Sequence, residues 1–176
     1  DLEDGTGSCE GRGTTGMNAA VTGTVPAGDY NGVVMTIGVP GSLNHTDTAA
    51  EKAPLDIQAM AWSWQAGRKF VKIEIAPVGE VNRPENPATN PPTPATSGPI
   101  FNIHLGSTGC TGNPASGEIV SCLSSNRLDL RFDSFNPDTQ QIVLDVQQLF
   151  LGSNVAADLG GAFGCMSGKS DPECPA

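Results

Sequence analysis

Positive charge is scarce in this sequence. Nine Lys and Arg stand against nineteen Asp and Glu, a formal net charge of −10 in 176 residues, and the basic residues form no cluster. A nucleic acid or an anionic membrane surface has nothing here to hold it. Long apolar runs are also missing, so no segment reads as a membrane span. Charged residues make up 16% and aromatics 5%. No Cys-x-x-Cys pair occurs, and neither histidine lies near enough to a cysteine in sequence to complete a zinc-ribbon pattern. A Gly-x-Ser-x-Gly elbow and a phosphate-binding loop are absent, because "GTGSCEGRG" is followed by neither Lys-Ser/Thr nor a helical pattern. Hydrolase, nucleotide-binding and nucleic-acid-binding readings all lose their usual support.

Glycine (22) and proline (14) are what the chain has in quantity. Such a composition gives short strands and many turns, and the length suits one domain over 1–176. β-rich pieces are expected at 19–25 and 30–39. "IQAMAWSW" and "RKFVKIEI" read as two strands joined at Gln65-Ala66-Gly67-Arg68, with the glycine where a positive φ is needed. Residues 76–99 hold seven of the fourteen prolines and read as a long surface excursion. Further strands are expected at 99–105, 126–135 and 140–146. In the second of these, Leu128, Leu130 and Phe132 point inward. One short helix follows near 147–160. The fold expected is all-β, an antiparallel sandwich or barrel-like domain with long loops.

Five cysteines remain to be placed. Two short Gly- and Ser-rich loops read as disulfide loops, Cys110–Cys122 and Cys165–Cys174, in an oxidising compartment, with crossed pairings left open by the sequence. Cys9 is left over, either a free thiol or one whose partner lies in a segment outside this chain. The chain begins at Asp1 without a methionine, as a processed or truncated form would.

Both tryptophans fall in "MAWSWQ" (60–65). In a strand, Met60, Trp62 and Trp64 would share a face. Such a row is most simply core, and two histidines far apart in sequence, His45 and His104, are most simply surface or hydrogen-bonded residues. Neutral imidazole is nonetheless the commonest protein metal ligand, and Met60 or Met166 would add a soft sulfur suited to Cu(I). An intact indole has no in-plane lone pair to offer.

Four motifs in order, "TIGVPGSLNHTD", "PLDIQAMAWSWQAGRKFVKIEI", "FNIHLGSTGC" and "GCMSGKSDPEC", resemble the MbnP-like family, the four-Cys proteins of metallo-mystery pairs. The resemblance implies a periplasmic or otherwise extracytoplasmic copper-binding protein, not an enzyme, with a role in copper homeostasis. Its partner would be a MauG-like (MbnH-like) dihaem cytochrome c. That partner would oxidise the first Trp of the WxW motif, here Trp62, to kynurenine. One copper ion, as Cu(I), would then be held by His45, His104 and the modified Trp62, with Trp64 and Met60 beside it. The alternative is a disulfide-stabilised interaction module with no metal site. Two departures from the family stand out. Arg68 takes the place of a tyrosine expected on the surface, and relatives carry an N-terminal segment of sheet before the equivalent of Asp1.

Overall fold

A computed structural model describes residues 2–3, 5–11, 16–63, 67–113, 118–168 and 171–174. The chain divides into two units, Asp1–Asn31 and Gly32–Ala176. The first has a single 3-10 turn, Gly7–Cys9, which carries the free thiol of Cys9. The β-piece expected at 19–25 is not a strand, and Val21 and Val25 are exposed. A β-rich composition makes no ladder without a partner edge.

The second unit is all-β apart from two four-residue helices, where the sequence suggested one. Its elements are β1 (Val33–Ile37), α1 (Gly41–Asn44), a 3-10 turn (Gln58–Met60), β2 (Lys69–Ile75), β3 (Val81–Arg83), β4 (Thr96–Gly98), β5 (Phe101–Gly106), β6 (Thr108–Asn113), β7 (Glu118–Ser124), β8 (Leu128–Phe132), α2 (Val146–Leu149) and β9 (Gly164–Cys165). The pairings β1–β8, β2–β5, β3–β4 and β6–β7 are antiparallel, and β9 joins β5 in parallel. The described residues form no closed barrel.

Several expectations need correcting. The strand through Met60 and Trp62 is absent. Met60 and Ala61 instead donate back to Ile57 and Gln58, the i to i+3 bonds of a 3-10 turn. Gln58, Ala59 and Met60 are good helix formers, and Lys69 Nζ donates to the Ala59 carbonyl at 2.9 Å. Residues 140–145 form no strand either, and they lie exposed before the Asp145 cap of α2. The Pro-rich excursion contains β3 and β4. The Gly- and Ser-rich stretch around Cys110 and Cys122 is a two-stranded ladder rather than a loop. Leu128 is exposed, although Leu130 and Phe132 on the same face of β8 are half-buried.

The interior is unusually polar. Val81 and Phe101 are the buried large apolar residues among those described, with Phe150 edge-on to Phe101 at 6.4 Å between ring centroids. Buried beside them are Asn44, Arg68, His104, Ser107, Asp158 and Asp171. Asp158 accepts from Arg83 Nε and from the Gly160 and Gly164 amides, which seats β9 against β5. Asp171 accepts the amides of Ala162 and Met166.

Arg68, expected at the surface, is 4% exposed. Its guanidinium donates to the Leu43 carbonyl through Nη1 and to the Leu55 carbonyl through Nε and Nη2, at 3.2 and 2.9 Å. Its backbone N–H donates to Asn44 Oδ1 at 3.0 Å. No carboxylate pairs with it among the described residues, so backbone carbonyls alone offset the buried charge. Arg68→Met would leave the Leu55 carbonyl without its side-chain donor and the Leu43 carbonyl with the Thr46 hydroxyl alone, and cost on the order of 3 kcal/mol. Urea denaturation checks this, and a stability within about 0.5 kcal/mol of the parent protein would refute it.

Candidate metal centre

Gly67 sits at φ 81°, in the left-handed region that the hairpin reading required. Space also fixes its identity, because a Cβ there would meet Asn44 Nδ2 at 2.5 Å and His45 Cε1 at 2.9 Å. Residues 65 and 66 of that connection, with Trp64, lie outside the described residues. Trp62 donates its backbone N–H to the Gly67 carbonyl at 3.0 Å, and Ala61 bridges to Arg68. His45 and Trp62 therefore meet the same glycine from different sides.

The Trp62 ring lies over Gly106 at the end of β5. A Cβ on Gly106 would be 2.5 Å from Trp62 Cζ3 and 2.7 Å from the Arg68 carbonyl oxygen. The backbone of Gly106 is held as well. Its N–H donates to Ser167 Oγ at 3.1 Å and its carbonyl accepts from Asn126 Nδ2 at 2.8 Å. Ser167 Oγ in turn donates to the His104 carbonyl at 2.7 Å. Since i and i+2 share a face of a strand, His104 projects from β5 on the face where the indole rests. Trp62 thus touches Gly67, against which His45 lies, and Gly106, two residues past His104.

The two imidazoles are held in opposite tautomers. Asn44 is 1% exposed. Its Oδ1 accepts the Arg68 N–H, which leaves Nδ2 to donate to His45 Nε2 at 3.1 Å. The His45 lone pair is therefore on Nε2 and its proton on Nδ1. His104 donates from Nε2 to Glu74 Oε1 at 3.1 Å, and its Nδ1 is buried with no hydrogen-bond partner among the described residues. A carboxylate behind an imidazole whose other nitrogen is unpartnered is the usual support for a metal-binding histidine. Burial lowers the His104 pKa below its usual value, outweighing the Glu74 hydrogen bond and charge that pull it up. Burial pushes the Glu74 carboxyl up, but hydrogen bonds from Lys72 and His104, with their charges, hold it below the usual range. Neutral imidazole is the form a metal requires.

An open cleft of about 380 Å³ runs past Trp62, Ser63, Ser107, Thr108, Gly109, Cys110 and Met166. Met166 thus provides the thioether on this wall, beside the disulfide sulfur of Cys110. Met60, half-buried in its 3-10 turn, does not line the cleft. Both disulfides expected from the spacing are present, Cys110–Cys122 and Cys165–Cys174. The first lies against His45, with Cys122 Sγ 3.6 Å from Nε2. Glu74, Asn44 and Gly106 escaped the sequence reading. Glu74 lay within an expected strand with no role given to it, and Asn44 and Gly106 lay within quoted motifs, "TIGVPGSLNHTD" and "FNIHLGSTGC", without a role of their own.

The family model described as MbnP matches residues 8–167 of the chain. A solved structure, MbnP from Methylosinus trichosporium, is similar with a TM-score of 0.73 at 42% identity, covering 85% of this chain and 52% of that one. The chain therefore spans about half the length of that relative. A search of curated proteins finds no match.

Because burial depresses the His104 pKa, its contribution to folding stability is present above the unfolded-state value, about 6.5, and is lost as pH falls below it. By NMR, the His104 ring should titrate below that value. Glu74→Gln removes the charge that favours imidazolium and should move it lower still. An unchanged or raised midpoint in Glu74→Gln would contradict the assigned hydrogen bond.

Proposed function

The chain belongs to the MbnP family, and from that premise we propose that it binds copper through His45, His104 and an oxidised Trp62. The observation that carries this reading is the seat of Trp62. Its amide is tied to the glycine that His45 abuts, and its ring rests on the strand face that carries His104. Two neutral imidazoles, one with an unpartnered buried Nδ1, form a nitrogen-rich set that suits Cu(I) once a third donor is present. Bound copper would give the protein its cargo rather than a reaction centre.

Oxidation makes Trp62 that donor. With an oxidant at the level of dioxygen activated on the partner's haem, together with one water, cleavage of the indole C2–C3 bond releases C2 as formate and leaves a ketone at C3. The ring nitrogen becomes a primary aryl amine with a free lone pair. The open cleft leaves the indole within reach of an oxidising partner, which we assign as a dihaem cytochrome c of the MauG type. The chain is that enzyme's substrate and not itself an enzyme. Two disulfides suit an extracytoplasmic, periplasmic setting. No helix among the described residues is long and apolar enough to cross a membrane. A role in copper homeostasis follows from these assignments.

The decisive experiment is tandem mass spectrometry of the Trp62 peptide from protein made with its native partner, alongside copper analysis. The expected result is loss of one carbon and gain of one oxygen at Trp62, with one copper per chain. His45→Ala, His104→Ala and Trp62→Phe should each lose stoichiometric copper while retaining the fold by circular dichroism. Glu74→Ala should weaken copper by roughly 10–100-fold. An unmodified Trp62 with copper content independent of both histidines would favour the metal-free interaction module instead.

A further inference from the structure

One cluster of ligand-type atoms is not used by that reading. His45, Cys110 and Cys122 each offer one ligand atom, and these atoms lie within 4.8 Å of one another. As they stand, the sulfurs are bonded to each other and are not thiolates. We propose that the Cys110–Cys122 disulfide is the oxidised form of a second, redox-gated site for a soft metal ion, an N,S,S set closed by His45 Nε2.

Three features of the fold prepare this set. The two cysteines are a directly opposed pair in the β6–β7 ladder, with Thr108↔Ser124 and Thr111↔Ser121 paired on either side. Backbone hydrogen bonds therefore keep the sulfurs adjacent when the bond between them opens. Asn44, fixed by the Arg68 N–H, donates to His45 Nε2 and so keeps the lone pair on the nitrogen 3.6 Å from Cys122 Sγ; an ion bound there takes the place of that one hydrogen bond. Cys110 also lines the open cleft, which admits both a reductant and an ion.

A dithiol reductant transfers two electrons and two protons. The S–S bond breaks, two cysteine thiols form, and the reductant closes to its own disulfide. Binding of Cu(I) or Zn(II) then releases the two thiol protons to solvent, leaving two thiolates and a neutral imidazole on the ion. The Cys165–Cys174 disulfide has no such neighbour among the described residues, so reduction there creates no comparable set. The site shares His45 with the proposed copper centre but needs neither Trp62 nor His104. The two readings can therefore fail separately.

The test uses the full chain, reduced with a phosphine, desalted without oxygen and titrated with Co(II). Reduced protein should bind one Co(II) with a thiolate-to-cobalt charge-transfer band that oxidised protein lacks. The band should be lost in Cys110→Ser, Cys122→Ser and His45→Ala, and kept in Trp62→Phe, His104→Ala and Cys165→Ser. Circular dichroism and a thiol count accompany each step. The proposal is overturned if reduced, folded protein gives no band, or if the band survives His45→Ala undiminished. Unfolding on reduction that metal does not reverse overturns it equally.

Discussion

Arg68 is the residue on which the rest of this arrangement depends. Its side chain binds carbonyls from two segments that share no strand pairing, Leu43 at the end of α1 and Leu55 in the turn beyond it. Its backbone reaches a third partner, the Asn44 amide that sets the His45 tautomer. It also opens the pairing of Ala61 with the β2 side of the hairpin, beside Trp62. A buried guanidinium satisfied only by backbone oxygens is a costly device for stability alone. Here it ties the end of α1, the turn at Leu55 and the bridge at Ala61 to the residue that precedes β2. A tyrosine at this position, as the family resemblance suggests, has one hydroxyl and cannot make the same set of bonds.

A core with so little buried apolar surface depends on directional contacts. Asp158, Asp171 and Arg68 each satisfy several backbone groups at once, and two disulfides close the segments that flank the cleft. β5 is where these meet. It pairs with β2 on one side and β9 on the other, and its last residue, Gly106, seats the Trp62 ring beside the cleft. Exposed apolar residues run from Ile142 through Leu151, a segment that packs little of itself against β5 apart from Phe150.

The parts legible in the sequence were those with a period or a fixed chemistry. Alternation in "RKFVKIEI", "FNIHL" and "RLDLRF" marks β2, β5 and β8, and short cysteine spacings mark both disulfides. Gly67 is legible because a tight hairpin demands positive φ. The missed parts lack such signals. "QAMAW" has strand-like alternation, yet its backbone bonds close locally, and "QQIVLDV" is apolar without an edge to join. β6 and β7 hide in Gly and Ser, whose small side chains give no alternation. His45, His104 and Trp62 became candidate site residues through the family resemblance, which pointed to none of the side chains that support them. Glu74 looks like any solvent-facing acid until a pairing register puts its strand opposite His104's.

Gly106 carries the last lesson. The indole is placed on β5 less by attraction than by subtraction, since its seat is the volume of a methyl group that the chain declines to build. A homologue with alanine at 106 would retain both histidines, both tryptophans and every cysteine, and would pass any inspection of its reactive groups. It would still have no room for the indole against β5. Whether the proposed site can form is thus decided partly by an atom that is not there, which comparisons weighted toward chemically active residues are built to overlook.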